Sequence, residues 1–317
     1  MKSDRYIENE FSKFLYACIK LKIKFFDSHC HLDFLFQRTN FVGSFSNFFI
    51  SNIEHFPANF AGCIAVFCNP ITFTNFNFAN YIDDRVWLAM GCHPKKVIFF
   101  NKSAEDNLWD LLKKKKVIAV GETGLDYSGN FFRTANLQKK IFIIHIKMAL
   151  ALKKPIVIHC RDADDDCLQI LRTYIPRNHH IHLHCYTKSF QHAKEWLYSF
   201  PNLFIGLTPL ITYPSAHDSH DTAQKIPLNR LLLETDAPYF VPRCLPSQIR
   251  TTSHPGMAVT VAFEVAKLKN VSTDLVLRHC FANTIKMYNI DFWRFSLQTC
   301  AHPVLYFSLL NPGILCF

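Results

Sequence analysis

Eight short apolar runs, most of them separated by a helical pattern, constrain the fold of this chain most strongly. The runs are rich in Val, Ile and Phe, as expected for strands that are buried on both faces of a parallel sheet. They cover residues 23–32, 60–68, 86–94, 117–127, 155–160, 181–187, 202–209 and 230–240. Helical patterns cover residues 104–116, 134–154, 162–175, 189–200, 254–269 and 272–290. The alternation predicts an α/β fold, a single (β/α)8 TIM barrel over residues 23–290.

The alternative architecture is an open doubly wound sheet, but no Gly-rich phosphate-binding loop follows the first run. Outside the barrel, residues 1–22 are predicted to be an N-terminal lead segment and residues 291–317 a C-terminal tail. Asp4 and Glu8 interrupt the lead segment, which argues against a signal peptide. Arg294 and Pro303 divide the tail, which argues against a membrane anchor. We therefore expect a protein that does not act at a membrane.

The composition narrows the compartment and the class of partner. The formal net charge of +10 favours an acidic partner such as nucleic acid or an anionic membrane, although charge alone does not decide between them. None of the twelve cysteines forms a CxxC pair, and several lie inside apolar runs. Buried free cysteines are typical of a reducing compartment, so we expect an intracellular protein of the cytoplasm or nucleus.

Polar side chains stand at the C-terminal ends of the predicted strands, and these ends converge on one mouth of a TIM barrel. Since side chains alternate along a strand, the two histidines of the first run face the same way. The residues concerned are His29, His31, His93, Glu122, His159, His184, Glu234 and Asp236. Any one histidine is more simply read as a core residue with its hydrogen bonds satisfied. The whole set at matching positions instead predicts a site for two divalent cations.

The residue types limit the chemistry of such a site. Imidazole and carboxylate suit Zn, Mn or Fe, and carboxylate with water suits Mg. With two cations, a metal-activated hydroxide is expected to attack phosphorus or a carbonyl carbon. Glu122 is placed to bridge the cations, and Asp236 is expected both to bind a cation and to take the proton of the attacking water. Glu122 and Asp236 are thus the predicted catalytic residues.

Six motifs resemble those of the TatD family of metal-dependent nucleases, which have amidohydrolase-like barrels. They are DSHCHLD (27–33), GCHP (91–94), GETGLDY (121–127), IHCRDAD (158–164), HCYT (184–187) and ETDAPYFVPR (234–243), in the family's order. Within the family, the resemblance is nearest to the TatD domain-containing protein 2 type, through FVGSF (41–45) and FPANFAGCIAVFC (56–68).

The resemblance implies a role for each metal-site residue. His29 and His31 would bind one cation, His159 and His184 would complete the second site, and Glu122 would bridge the two. Asp236 would be both a metal ligand and the catalytic base. The implied cofactor is a pair of divalent cations, Mg, Mn or Zn.

The resemblance also implies a substrate, namely DNA and, as a further substrate, RNA, hydrolysed at phosphodiester bonds from the 3′ end. His93 and Arg161 match family positions near the scissile phosphate. Tyr127 is placed where it could stack on a base, and Lys188 replaces a family Gly and adds charge near the strand. A second departure is His145, which replaces a family Gln.

Two other functions remain open from the residues. Cyclic amidohydrolases and lactonases share this barrel type, but they commonly carry a modified Lys at the end of strand four, where this chain has Glu122. A nucleic-acid-binding barrel without activity would be expected to have lost ligands, and all six positions are filled. We expect a monomeric metal-dependent hydrolase acting on ester bonds, with a small cyclic substrate as the alternative to DNA.

Overall fold

Eight parallel strands pair with one another in chain order, and a bridge between Cys30 and Ala237 brings the first strand against the chain that follows the last. The computed structural model describes residues 22–245 and 252–291. The predicted (β/α)8 TIM barrel is confirmed. Its strands are β1 (Phe25–Cys30), β2 (Phe60–Phe67), β3 (Val86–Met90), β4 (Val117–Asp126), β5 (Ile156–Arg161), β6 (Ile181–Leu183), β7 (Leu203–Leu207) and β8 (Leu231–Leu233).

Nine α-helices lie in the described residues, and six of them coincide with predicted helical patterns. The helices are α1 (Leu32–Thr39), α2 (Phe45–Ser51), α3 (Lys102–Leu112), α4 (Ala135–Ala151), α5 (Asp164–Tyr174), α6 (Phe190–Ser199), α7 (His217–Lys225), α8 (Val259–Lys269) and α9 (Thr273–Tyr288). The sequence pattern missed α1, α2 and α7. Each of these three has fewer than ten residues, and so it repeats its apolar spacing too few times to stand out.

The local sequence explains where the helices begin. Ser44 accepts a hydrogen bond from the backbone of Asn47 at the start of α2, and Ser272 does the same for Leu275 at the start of α9. Three aspartates occupy the first turn of α5, where they face the positive end of the helix dipole. The two serine contacts satisfy backbone N–H groups that have no partner within the helix.

An apolar plug fills the barrel below the mouth. Phe26 of β1 stacks on Phe281 of α9 with ring centroids 5.2 Å apart, and Trp87 of β3 meets Phe26 edge-on at 5.4 Å. Ile64, Val66, Val157, Phe204 and Leu232 belong to the same buried cluster. The plug leaves only the C-terminal ends of the strands free to form a polar site, which is where this barrel type carries its chemistry.

Several strands end earlier than the sequence pattern predicted. β6 ends at Leu183 and β8 at Leu233, so His184 and Asp236 lie just beyond the paired residues. The predicted segments 1–22 and 291–317 fall almost wholly outside the described residues. Within the described part of the chain, no helix has the length and apolar character needed to cross a bilayer.

Candidate metal centre

Two histidines and two carboxylates meet at the end of β1. His29 Nε2 lies 3.4 Å from His31 Nε2 and 3.4 Å from Glu122 Oε2. Asp236 Oδ1 lies 3.2 Å from His31 Nε2 and 3.6 Å from His29 Nε2. The four side chains are buried, and Asp236, at 8% exposure, reaches solvent most. The structure thus brings ligand atoms from β1, β4 and the chain after β8 to one point.

A second pair of histidines lies on the other side of Glu122. His159 Nδ1 lies 3.1 Å from His184 Nε2, and His184 Nε2 lies 2.7 Å from Glu122 Oε2. The same carboxylate therefore touches one histidine of each pair. The imidazole rings of His29 and His184 are stacked with centroids 4.0 Å apart, which packs the two halves of the site together.

The imidazole ring of His31 is oriented for binding a cation. His31 Nδ1 donates to Val66 O at 3.0 Å, which leaves Nε2, facing His29 and Asp236, as the atom where a cation would take the place of a proton. Two imidazole nitrogens in ligand positions on one tetrahedral ion would lie roughly 3.4 Å apart, as do the Nε2 atoms of His29 and His31. Glu122 Oε2 and His184 Nδ1 are buried and make no geometrically satisfactory hydrogen bond. This donor set fits divalent cations.

The pKa values of His31 and Glu122 also indicate that the site favours positive charge. Burial alone would lower the pKa of His31, but the Asp236 hydrogen bond and the charge of Glu122 raise it to about 9. Burial alone would raise the pKa of Glu122, yet His184 and His93 hold it well below its usual range. Glu122 therefore remains ionised in a dry site, which is favourable only with a proton or cation beside it.

His93 faces the carboxylate of Glu122 with a hydrogen-bond donor. Lys95 N donates to His93 Nδ1 at 3.0 Å, so the ring proton lies on Nε2, which is 3.8 Å from Glu122 Oε1. Burial and the neighbouring His159 lower the pKa of His93 to about 3, so the ring is uncharged at neutral pH. A protonated Nε2 has no lone pair for a cation, and His93 instead presents an N–H group to the mouth.

Asp126 fixes the orientation of His159, and the sequence reading assigned it no role. Asp126 Oδ2 lies 3.0 Å from His159 Nε2 and 3.2 Å from Lys95 Nζ. Gln138 anchors the backbone at Asp126, because its side chain both accepts from Asp126 N and donates to Asp126 O. Such a carboxylate behind a histidine sets the tautomer and the direction of the free nitrogen. Asp126 lies four residues after Glu122 on β4, and strand alternation would have placed both on one face.

His182 and Glu234 form the floor of the site. His182 Nε2 lies 2.8 Å from Glu234 Oε2, and His182 Nδ1 donates to the hydroxyl of Tyr288, which in turn donates to Ser28 O. Glu234 Oε1 accepts from Cys185 N, directly after His184. The hydrogen bonds from His182 to Tyr288 and from Tyr288 to Ser28 therefore join β6, α9 and β1 beneath the ligands. Gly206 is required here, since a Cβ would come within 2.3 Å of the Glu234 carboxylate.

Asp27 supports the site through the backbone. Strand alternation alone predicts that Asp27 faces inward with His29 and His31. The pairing of β1 with β2, however, shifts register between Asp27 and Cys30. The Asp27 carboxylate accepts from His29 N at 3.2 Å and from Thr235 N at 2.9 Å. It thereby joins β1 to the segment that carries Asp236, whose backbone has a strained φ of 54°.

The predicted substrate residues are placed differently from one another. The guanidinium of Arg161 is exposed at the end of β5 and makes no hydrogen bond to any described residue. The Tyr127 hydroxyl donates to Asp166 Oδ2 at 2.7 Å, and Lys188 Nζ pairs with Asp164 Oδ2. Arg161 and His93 are thus available to a ligand, whereas Tyr127 and Lys188 are engaged by carboxylates of α5.

Replacement of a Gln by His145 preserves a backbone contact. His145 Nδ1 donates to Ile141 O at 2.8 Å, which leaves Nε2 to accept from Cys92 N at 3.0 Å. Burial lowers the pKa of His145 to about 4, so the ring remains a neutral acceptor. The contact holds the residue before His93 in place, a role that the oxygen of a Gln side chain could also fill.

Comparisons with known proteins agree with this geometry. Residues 26–289 match the family described as TatD related DNase. The chain is 40% identical to the human 3′-5′ RNA nuclease TATDN2 over 267 residues, which is 84% of this chain and 35% of the human protein. It spans only about a third of that relative's length.

A bacterial relative and a solved structure extend the match. The chain is 31% identical over 207 residues to the 3′-5′ ssDNA/RNA exonuclease TatD of Klebsiella pneumoniae, covering 65% of this chain and 78% of that protein. The crystal structure of YjjV, a TatD homologue from Escherichia coli, superimposes with a TM-score of 0.72 at 25% identity, over 84% of this chain and 98% of that one. The resemblance predicted from the six motifs is confirmed, and the chain belongs to the family of TatD-related DNases.

Proposed function

We propose that this protein is a divalent-metal-dependent nuclease that hydrolyses phosphodiester bonds of single-stranded DNA and RNA from the 3′ end. The observation that carries the proposal is the position of Glu122 between the pairs His29–His31 and His159–His184. A carboxylate shared by two histidine pairs is the arrangement expected for two neighbouring cations. The direction of cleavage and both substrates are taken from the relatives, which are called a 3′-5′ RNA nuclease and a 3′-5′ ssDNA/RNA exonuclease.

The ligands divide naturally between two positions. His29, His31 and Asp236 would hold one cation, His159 and His184 would hold the other, and Glu122 would contact both. When bound, divalent cations acidify water and neutralise the charge that develops on phosphate oxygens. Mg, Mn and Zn all suit this mixture of imidazole and carboxylate, so a metal panel has to identify the native pair.

Three side chains are in position to act on the substrate itself. Asp236 is the carboxylate of the cluster that reaches solvent most, and so it is suited to accept a proton from water, whereas Glu122 is only 1% exposed. His93 presents its Nε2–H group beside Glu122, where it can donate to a phosphate oxygen. Arg161 adds an exposed positive charge at the end of the strand that carries His159.

The main alternative is a lactonase or cyclic amidohydrolase. The buried carboxylate at the β4 position favours the nuclease, because lactonase barrels commonly carry a modified Lys there. A barrel that only binds nucleic acid would have no need to keep ionised carboxylates and histidine lone pairs together in a dry cluster, since burying them is costly.

The functional test uses the purified chain with 3′-labelled and 5′-labelled single-stranded DNA and RNA in Mg²⁺, Mn²⁺ or Zn²⁺. The proposal predicts stepwise release of mononucleotides from the 3′ end, which is abolished by a chelator. A γ-lactone and a dihydropyrimidine serve as competing substrates. Turnover of either one, without nucleotide release in any metal, would establish the alternative instead.

We also propose that the protein acts as a monomer in a reducing compartment of the cell, the cytoplasm or nucleus. All candidate ligands come from a single chain, so the site needs no partner subunit. Six cysteines of the described residues are both free and buried. Light scattering of the purified chain and localisation of a tagged copy would test the two points separately.

A further inference from the structure

A pocket of about 540 Å³ opens next to the candidate metal centre. One wall is Arg38 of α1, another is Tyr213 in the loop after β7, and the remainder is formed by residues 238–241 and Arg243. Residue 238 comes two positions after Asp236, and the Tyr239 ring lies with its centroid 6.4 Å from that of His31. The opening is therefore within reach of a strand whose phosphate contacts the cluster.

Two arginine–tyrosine pairs shape the pocket. Arg38 Cζ lies 5.2 Å from the centre of the Tyr239 ring, and Arg243 Cζ lies 5.0 Å from that of Tyr213. Both distances are within the range for cation–π contact. We call the pocket formed by Arg38, Tyr213, Tyr239 and Arg243, together with Pro238, Phe240 and Val241, the Arg–Tyr pocket.

Backbone contacts hold both pairs in place. Arg38 Nη1 donates to Pro238 O at 3.1 Å, and the Tyr213 hydroxyl donates to Val241 O at 2.9 Å. Arg243 N donates to Thr212 Oγ1 at 2.8 Å. The rings and the cations are thus arranged before any ligand arrives, which lowers the entropic cost of binding.

The charge and exposure of the pocket indicate its ligand. The described residues that line it include two arginines and no carboxylate, so it favours an anion. Tyr239 remains 40% exposed despite its size, and both arginines are exposed. An acidic peptide would satisfy the arginines but would have no use for two ordered rings. A nucleotide uses both, because it carries a phosphate and a flat base.

We propose that the Arg–Tyr pocket binds one unpaired nucleotide of the strand that is being cut, with its base against the tyrosines and its phosphate near the arginines. This inference rests on the proposed nuclease function and assigns a place in the structure that would require a single strand. The nucleotide beside the scissile bond must be free of its complementary strand, so a fully paired end should be a poor substrate.

The test removes single bases from the substrate instead of relying on a variant alone. One abasic residue is moved stepwise along a single-stranded oligonucleotide, and kcat/KM is measured for the wild type, Tyr239→Ala and Tyr198→Ala. Tyr198 is the matched control, because Arg177 Cζ lies 5.8 Å from its ring near the C-terminal end of α6, remote from the mouth. The dissociation constant is measured in parallel by fluorescence anisotropy in chelator, where cleavage is blocked.

The wild type and Tyr198→Ala should lose on the order of tenfold in kcat/KM and in affinity when the abasic residue occupies one particular position of the oligonucleotide. Tyr239→Ala should lose a similar factor in kcat/KM and affinity on the strand with all its bases. An abasic residue at that position should cause it no further loss. The proposal would be overturned if an abasic residue, at every position tested, affected Tyr239→Ala as much as it affects the wild type. An enzyme that releases no nucleotide but shows the same pattern in anisotropy would retain the pocket and refute the nuclease function.

Discussion

Asp126 and His159 form a carboxylate–imidazole pair in which the two atoms in contact, Oδ2 and Nε2, are 3.0 Å apart. The opposite ring nitrogen, Nδ1, lies 3.1 Å from His184 Nε2, so the direction of the pair determines where a cation could bind. Asp126→Ala should therefore weaken metal affinity by about 10–100-fold. Calorimetric titration with Mn²⁺ measures this affinity.

Asp126→Asn and Asp166→Asn are the matched comparisons for that variant. Asn keeps an oxygen that can accept from His159 Nε2, so Asp126→Asn should bind Mn²⁺ better than Asp126→Ala does. Asp166 is another paired carboxylate but lies on α5 against Tyr127, and its variant should bind as the wild type does. Wild-type Mn²⁺ affinity in Asp126→Ala would show that the carboxylate has no influence on the metal site.

Substitutions that remove only the charge test the proposed catalytic roles of Glu122 and Asp236. Glu122→Gln and Asp236→Asn remove the charge that a cation needs, while nearly keeping the size of the side chain. Each should lower nucleotide release by several orders of magnitude, because metal binding and water activation depend on these groups. The measurement is single-turnover cleavage at saturating Mn²⁺, and a rate within a few-fold of the wild type for either variant would refute its catalytic role.

His93 is expected to act as a hydrogen-bond donor and not as a ligand. His93→Ala should lower kcat by about 10²–10³-fold, as does the loss of one preorganised donor to a developing charge. Its metal content should remain that of the wild type, whereas His184→Ala should lose bound metal. Elemental analysis of the purified variants, set beside their rates, distinguishes the two roles. Loss of metal from His93→Ala would make His93 a ligand.

Arg161 and Lys188 should differ in their effect on salt dependence. Arg161 offers an exposed charge, whereas the charge of Lys188 is offset by Asp164. Arg161→Ala should flatten the slope of log affinity for single-stranded DNA against log salt by about 0.7, the loss of one phosphate contact. Lys188→Ala should change the slope less, and Lys114→Ala, which precedes β4 at the opposite end of the barrel, should not change it. A larger effect at Lys188 would place the strand over α5.

Asp83 should make the free energy of unfolding of the barrel depend on pH in the acid range. It accepts from Arg85 N and Nε, both at 2.8 Å, and from Arg85 Nη2 at 2.7 Å. Although burial opposes the shift, the hydrogen bonds from Arg85 and Ser46 lower the pKa of Asp83 to about 2. Since the unfolded value is near 3.9, the stabilisation is present above about pH 4 and is lost as the pH falls through about 2.

Asp83→Asn should accordingly cost about 1.5–3 kcal/mol of unfolding free energy at pH 7, the range for hydrogen bonds to a charged group. The difference from the wild type should shrink as the pH falls from 4 towards 2. Urea denaturation at several pH values measures it, with the neighbouring exposed residue replaced in Asp84→Asn as the control. A difference that is independent of pH would exclude the ion pair as its source.

The overall fold could be predicted because every strand is a separate apolar run, and the polar residues at the strand ends stand out against those runs. The convergence of His29, Glu122 and His184 then follows from the barrel itself, since parallel strand ends share one mouth. Strand alternation was a weaker guide at β1, because the register shift there directs Asp27 to Thr235.

The supporting contacts could not be predicted in the same way. The partners Tyr288 and His182 are 106 residues apart. The pairing of Lys188 with Asp164 depends on how the loop after β6 approaches the first turn of α5. A charged residue at a strand end looks the same in sequence whether it faces solvent or a carboxylate. Its surroundings are set by tertiary packing, which is why Tyr127 and Lys188 looked available for substrate and are in fact hydrogen-bonded.

The central claim is that four histidines and two carboxylates of this chain hold two divalent cations. A crystal of the protein grown with Mn²⁺ and recorded at the manganese absorption edge tests it most directly, through the anomalous difference map. The account predicts two peaks, one in contact with His29 and His31, the other with His159 and His184, and both next to Glu122. No peak within bonding distance of these side chains at saturating Mn²⁺ would contradict it.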